Sequence, residues 1–189
     1  MSDTVDTTRT LRNTVGLTPS QTAGPYLSIG LLRGLTTNEL VDPADPRAVR
    51  IRGTLLDGAD EGVPDGLVES WQADDKGSYG RDGFLGFGRS GTEDGGRFEL
   101  VTVKPGRVPW PAGGEQAPHL VFVVFARGLL KQVVTRMYFP DEEEANASDP
   151  VLSGLDEAAR STVVATVEGG ALRFDIRLQG PRQTTFFAV

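Results

Sequence analysis

The amino-acid sequence predicts an all-β protein, a β-sandwich of mostly antiparallel strands with long loops and one or two short helices. Three observations predict it. Apolar and polar residues alternate in several short segments, β-branched and aromatic residues dominate others, and turn-forming residues separate them. With 24 glycines and 12 prolines among 189 residues, turns are frequent enough for many short strands. The length favours a single domain.

The strands can be placed in chain order. Residues 48–56, AVRIRGTLL, carry apolar side chains at every second position, which is the period of a strand. Turn residues separate them from the returning strand within LVESWQA, residues 67–73. The segments at 97–103, 119–128 and 132–139 are rich in β-branched and aromatic residues, as buried strands are.

One short helix and a final hairpin are predicted toward the C-terminus. Asp149 followed by Pro150 matches a helix N-cap with proline at the first helical position, which opens a helix toward Arg160. Beyond it, Gly169-Gly170 separates TVVATVE from ALRFDIRLQ, which predicts a two-residue hairpin and one last strand.

The N-terminal residues differ from the rest. Residues 1–16 are polar, Thr-rich and aperiodic, so we expect a flexible tail before a domain that spans residues 17–189. The tail also lacks the apolar core of a signal peptide, and no apolar run reaches the roughly 20 residues of a membrane span. We therefore expect a cytoplasmic protein without a membrane partner.

Charge and residue types exclude several kinds of site. The 19 basic and 26 acidic residues give a formal net charge of 19 − 26 = −7 at pH 7, which argues against a surface that binds nucleic acid. The chain has no cysteine, so it has no disulfide, no thiolate metal site and no cysteine nucleophile. His119 is the only histidine, and a structural zinc site needs four Cys or His ligands.

Searching for common catalytic motifs finds none. The sequence has no Gly-x-Ser-x-Gly nucleophile elbow and no Gly-rich phosphate loop. The acidic run at 141–144 could attract cations, but clustered acids in a loop are usually only solvated. Residue chemistry alone therefore predicts a β-sandwich of unspecified purpose.

A set of motifs is more specific than any single residue. Five of them follow one another along the chain: TPSQTAGPYLSIGL (18–31), VESWQADDKGSYG (68–80), TVKPG (102–106), APHLVFVVFARG (117–128) and RFDIRLQGPRQTTFF (173–187). Together they resemble the intradiol ring-cleaving dioxygenase family, in particular the α subunits of its heteromeric, protocatechuate-cleaving members. The resemblance implies a subunit that pairs with a homologous β subunit in a higher-order oligomer of αβ units, with the active site at their interface.

The resemblance also implies where the metal is held. In the family, Fe(III) is bound by two tyrosines and two histidines of the β subunit, and phenolate oxygens are hard donors that suit ferric iron. The matching positions here are Tyr79, Val108, His119 and Val121. Valine cannot donate to a metal, so the resemblance implies that this chain holds no iron and that its tyrosine and histidine are structural remnants. Gln116 and Arg136 stand where the β-type chain has an arginine and a glutamine near the substrate.

Finally, the resemblance implies that this chain lends residues to the partner's substrate pocket. The matching substrate-binding positions are Thr22, Gly24, Pro25, Tyr26 and Arg127. Gly-Pro lets backbone approach a flat ring closely, a tyrosine offers a ring and a hydroxyl, and an arginine suits a carboxylate. On residue chemistry alone, the N-terminal positions also match an ordinary type II turn, and Arg127 a surface salt bridge.

The function implied is an iron-free α subunit of an enzyme that cleaves 3,4-dihydroxybenzoate with O₂ to 3-carboxy-cis,cis-muconate, and the isolated chain is expected to be inactive. The alternative is a non-catalytic β-sandwich binding or scaffold module. The intact TPSQTAGPY favours the subunit, since a scaffold has no need of a pocket-closing loop. Val108 and Val121 contradict a self-sufficient catechol or hydroxyquinol dioxygenase.

Overall fold

The structure is a computed structural model that describes residues 20–22, 24, 26–32, 38–80 and 83–188. The predicted tail, residues 1–16, lies outside these ranges. No helix within them is long and apolar enough to cross a membrane. The strands are β1 Ala48–Leu56, β2 Leu67–Trp71, β3 Phe87–Gly91, β4 Arg97–Val103, β5 Val108–Pro109, β6 Glu115–Gln116, β7 His119–Phe125, β8 Val133–Tyr138, β9 Thr166–Glu168, β10 Ala171–Arg173 and β11 Ile176–Arg177. The α-helices are α1 Tyr26–Leu31, α2 Glu143–Ser148 and α3 Glu157–Ser161, with a 3₁₀ helix at Leu152–Gly154.

The strands form two main sheets, which confirms the predicted sandwich. In the first sheet, β1 pairs antiparallel with β4 and parallel with β10 and β11, and β9 pairs with β10. The second sheet is antiparallel throughout, in the order β3-β2-β7-β8. The short strands β5 and β6 pair separately, just before β7. The two-residue hairpin at Gly169-Gly170 is confirmed, because both glycines have positive φ and join β9 to β10.

The core fills the space between the two sheets. Alternate residues of β7, Leu120, Phe122 and Val124, are completely buried and face the first sheet. The Phe122 ring stacks on Phe174 at a centroid distance of 5.5 Å. The predicted alternation of β1 is confirmed, and Gly53 is required in it. A Cβ there would lie 2.3 Å from the Phe98 ring, so only glycine lets the ring pack against the strand.

Two strands differ from the prediction. The sequence does not predict β3, because two of its five residues are glycines, which are poor strand formers. Packing explains one of them, since a Cβ on Gly88 would lie 2.6 Å from Leu40 Cδ1 and 2.7 Å from Ser70 Oγ. The predicted single last strand is split into β10 and β11. Between them, Asp175 leaves the ladder and accepts a hydrogen bond from the Thr54 amide at 2.9 Å.

The prediction of one helix from Asp149 to Arg160 is wrong. Leu155 is extended and separates the 3₁₀ helix from α3, which has its own N-cap in Asp156, bonded to the Ala159 amide at 2.8 Å. The acidic run is not a free loop either. It leads into α2, and its first two residues, Asp141 and Glu142, form ion pairs with Lys104.

Candidate functional site

The resemblance matches four positions, Tyr79, Val108, His119 and Val121, to metal ligands, and these are here called the ligand-matching group. His119 is the first residue of β7, and Val121 follows on the same outer face of the second sheet. Val108 is buried in β5, and its Cα pairs with that of Gln116 in β6. Tyr79 lies in the loop after β2 and is half exposed.

Arg136 of β8 links these positions. It pairs in register with Val121, and its Nη1 donates to Gln116 Oε1 at 2.7 Å. Burial raises the pKa of Tyr79, and the charge of Arg136 opposes that increase. A permanent cation therefore stands among the positions where the family's β-type chains hold a metal ion.

His119 is a buried, hydrogen-bonded imidazole. Its Nδ1 lies 2.8 Å from the Ala117 carbonyl oxygen, and because a carbonyl only accepts, Nδ1 carries the proton. Its ring packs 5.6 Å from the Tyr138 ring. Burial lowers the pKa of His119, and the bond to Ala117 only partly opposes this. The ring is therefore neutral at pH 7.

This environment predicts a pH-dependent stability. Because the pKa of folded His119 is lower than its unfolded value of about 6.5, protonation favours the unfolded chain. The contribution is complete above pH ~6.5 and is lost as the pH falls below that value. Urea unfolding from pH 7.5 to 5.5 should show a decreasing free energy of unfolding, and His119→Gln should flatten the decrease. Equal slopes for the two proteins would contradict the assignment, since no other histidine titrates there.

A buried carboxylate holds the residues around His119. Asp149 is completely buried and accepts hydrogen bonds from the amides of Ala117, Val151 and Leu152, each at 2.8 Å. The Tyr138 hydroxyl lies 3.3 Å from its Oδ1, and burial raises the pKa of Tyr138 to about 12. The sequence predicts Asp149 only as a helix cap, because its bond to Ala117 spans 32 residues and has no local signal.

Two of the candidate substrate contacts, Arg127 and Thr22, lie at the other end of β7. Arg127 and Gly128 follow the strand, and the Gly128 amide donates to Thr22 Oγ1 at 2.7 Å. The structure thus brings the N-terminal segment and the Arg127 turn together, although 106 residues separate them. Gly24 is exposed with open space around its Cα, and Tyr26, the first residue of α1, is 81 % exposed. Pro25 lies outside the described residues.

Arg127 is exposed and paired. Its side chain is 77 % exposed, and its Nε lies 2.9 Å from Asp65 Oδ2. The residue borders an open cleft of about 450 Å³ whose charged residues are Arg127, Asp57 and Asp65. One cation against two carboxylates makes a poor anion site by itself, so a carboxylate ligand needs further donors from outside this chain.

The length of β7 separates the two groups. His119 and Arg127 are 127 − 119 = 8 residues apart along an extended strand, a distance of about 26 Å at ~3.3 Å per residue. An arginine side chain cannot bridge that distance. Arg127 and Thr22 therefore cannot contact a small molecule bound at the ligand-matching group of their own chain.

Known proteins resemble this chain in sequence. The family model Dioxygenase_C, described as Dioxygenase, matches residues 32–180. A protocatechuate 3,4-dioxygenase alpha chain of Burkholderia cepacia is 39% identical over 93% of this chain and 99% of its own length. A protocatechuate 3,4-dioxygenase alpha chain of Pseudomonas putida is 42% identical over 90% of this chain and 95% of its own length. A protocatechuate 3,4-dioxygenase beta chain of Burkholderia cepacia is 35% identical over 76% of this chain and 70% of its own.

Solved structures share the fold. The dioxygenase domain of a carbohydrate-binding fusion protein from Streptomyces sp. SirexAA-E aligns with 86% of this chain and 99% of its own, with a TM-score of 0.59 and 23% identity. Catechol 1,2-dioxygenase from Acinetobacter sp. ADP1 aligns with 74% of this chain and 55% of its own length, with a TM-score of 0.58 and 17% sequence identity. With the matched residues spanning most of the sandwich, the chain belongs to the dioxygenase family, the intradiol enzymes that its motifs resemble.

Proposed function

We propose that this chain is the iron-free α subunit of a heteromeric protocatechuate 3,4-dioxygenase, which cleaves 3,4-dihydroxybenzoate with O₂ to 3-carboxy-cis,cis-muconate. One observation carries the proposal: Arg127 and Thr22 are exposed at the end of β7 opposite the ligand-matching group, and Gly24 and Tyr26 are exposed as well. Contacts placed there serve a pocket on another chain. The likeness to relatives named alpha chain, and to one named beta chain, supports a homologous β subunit as that partner.

The donor set of this chain does not fit the family's ferric ion. Two of the four positions are valines, which offer no donor atom, so only the Tyr79 hydroxyl and Nε2 of His119 remain as donors. Arg136 adds a fixed positive charge beside them, which repels a metal cation. We therefore assign Fe(III) to the β subunit, where it supplies the activation of the bound catechol toward O₂.

The residues of this chain then bind and enclose the substrate. Arg127 presents a planar guanidinium that suits the carboxylate of protocatechuate, and further donors from the β subunit offset the negative charges of Asp57 and Asp65. Gly24 lets its backbone approach the ring without a side chain between them. Tyr26 offers an aromatic wall with one hydroxyl. The assembly that results is an oligomer of αβ units.

The first test is the location of the metal. Purified alone, this chain should be colourless and hold iron only substoichiometrically, because its donor set is incomplete. Co-expressed with the homologous β subunit, the complex should show the red-brown phenolate-to-iron absorption and take up O₂ with protocatechuate. Iron analysis and visible spectra provide the measurement. A coloured, stoichiometric ferric site in the isolated chain would refute the proposal, and a colourless, inactive complex would favour the scaffold alternative.

The second test concerns the substrate carboxylate. Arg127→Ala should raise KM for protocatechuate about tenfold, if the contact contributes about 1.4 kcal/mol. Catechol lacks the carboxylate, so its turnover should change far less. Arg127→Lys should recover only part of the loss, since an ammonium keeps the charge but not the planar fork.

Lys131→Ala is a matched control for Arg127→Ala, because this residue is an exposed cation four positions further along the same turn. It should leave both KM values unchanged. Equal losses for protocatechuate and catechol in an assembled, iron-loaded Arg127→Ala complex would remove Arg127 from the site.

A further inference from the structure

Asp65 is the acidic partner of Arg127. Its Oδ2 lies 2.9 Å from Nε, the guanidinium nitrogen nearest the side-chain stem. No other acidic residue within the described ranges forms an ion pair with Arg127. A guanidinium can receive a carboxylate along either its Nε edge or its terminal edge. Asp65 lies nearest the Nε edge, and a second carboxylate would approach along the terminal edge.

Asp65 is held in place by buried groups. The completely buried Thr92 bonds to the chain on both sides of Asp65. Its Oγ1 accepts from the Gly66 amide at 2.8 Å and donates to the Val63 carbonyl at 2.6 Å. A Cβ on Gly66 would lie 2.4 Å from Leu55 Cδ2, so the loop is packed against the core. Arg127 lies in an exposed turn, and its long side chain has many rotamers in the absence of a partner. The acid is the fixed member of the pair.

We propose that Asp65 is a positioning residue for substrate binding: it orients Arg127 so that the terminal edge of the guanidinium faces the substrate carboxylate. This inference rests on the proposed function, since it needs Arg127 at a substrate pocket. Asp65 is 39 % exposed in the free chain, where such a pair contributes little to stability. Its effect is on the rotamers of Arg127, whose ordering would otherwise oppose substrate binding.

Asp65 has two effects of opposite sign, and two substitutions separate them. Its oxygen orients the guanidinium, whereas its negative charge opposes an anionic substrate. Asp65→Asn keeps an oxygen acceptor and removes the charge, so it should hold KM for protocatechuate within about twofold of the wild-type value. Asp65→Ala removes the oxygen as well and should raise that KM about three- to fivefold, with the KM for catechol unchanged.

The experiment uses the assembled, iron-loaded αβ complex and measures KM and kcat for both substrates. Asp57→Asn removes the same charge from the same cleft without an ion pair to Arg127, so the change in KM that it produces measures the effect of charge alone. In an Arg127→Ala background, Asp65→Ala should no longer raise the KM for protocatechuate, because its orienting effect passes through the guanidinium. That non-additivity and the recovery in Asp65→Asn are results that general damage to the loop does not produce.

The outcomes separate this inference from the proposed function. A selective KM increase in Arg127→Ala combined with an unchanged KM in Asp65→Ala overturns the role of Asp65 and leaves the proposed function standing. A KM increase of equal size for catechol, or full additivity with Arg127→Ala, also overturns it. A wild-type complex that does not turn over protocatechuate overturns the proposed function itself.

Discussion

Deletion of residues 1–26 should reduce protocatechuate turnover by the assembled complex about 100-fold or more while leaving its iron content unchanged. The deletion removes Thr22, which bonds to the Arg127 turn, together with Gly24 and Tyr26. A missing pocket wall admits water and leaves the ring poorly oriented, and misplacement by ~1 Å can lower a rate about 100-fold. O₂ uptake and iron analysis of the purified complex measure both quantities.

Deletion of residues 1–16 is the matched control, because it removes only the predicted tail. That complex should retain full turnover. Thr22→Val is a finer probe, since it removes only the hydroxyl that accepts from the Gly128 amide, and it should affect KM more than assembly. Unchanged activity from an assembled complex that lacks residues 1–26 would show that the segment has no part in the pocket.

Asp149→Ala should lower the free energy of unfolding by about 3 to 5 kcal/mol, because it leaves three amides and a tyrosine hydroxyl without their acceptor in a buried site. For a chain of this length, that loss of stability should lower the Tm by roughly 6 to 20 °C. Urea unfolding of the isolated chain gives the free energy, and thermal unfolding gives the Tm.

Asp156→Ala is the control for this large effect. Asp156 caps the exposed helix α3 through a single bond to the Ala159 amide, so its loss should reduce the free energy of unfolding by only about 1 kcal/mol. Asp149→Asn should fall between them, since an amide can accept on one side but not on both. Losses of equal size for Asp149→Ala and Asp156→Ala would contradict the central role of the buried carboxylate.

Strand positions follow from the sequence where local pattern and packing agree. The bounds of β1 and β4 coincide with AVRIRGTLL and RFELVTV, because alternation over seven to nine residues has one structural solution. In β3, Gly88 is required for its small size against Leu40 and Ser70, and such a requirement is visible only after the layers are assembled. Asp149 is predicted only in part for a similar reason, because its carboxylate caps the 3₁₀ helix through Val151 and Leu152 and also accepts from the Ala117 amide, which is distant in sequence.

Most of the candidate site comes from family motifs, and its geometry comes from the structure. The motifs identify Thr22 and Arg127 as separate candidates, but the bond between Thr22 and Gly128 spans 106 residues and leaves no local trace. The partner of Arg127 is equally hidden, since any of 26 acidic residues could have filled that place. The separation between the two ends of β7 can be predicted from the sequence, because a strand has a regular rise per residue.

The placement of Arg127 and the ligand-matching group at opposite ends of β7 bears on how the proposed αβ complex arises. In an assembly of identical chains, every copy would hold a metal with one end of the strand and serve a neighbour with the other. After gene duplication, one copy can lose metal binding while the other copy still needs it to supply substrate contacts. The two functions can change separately because their residues lie at opposite ends of the strand. The resulting complex has one reactive centre per pair of chains. The released face can then acquire residues such as Arg136 without loss of turnover.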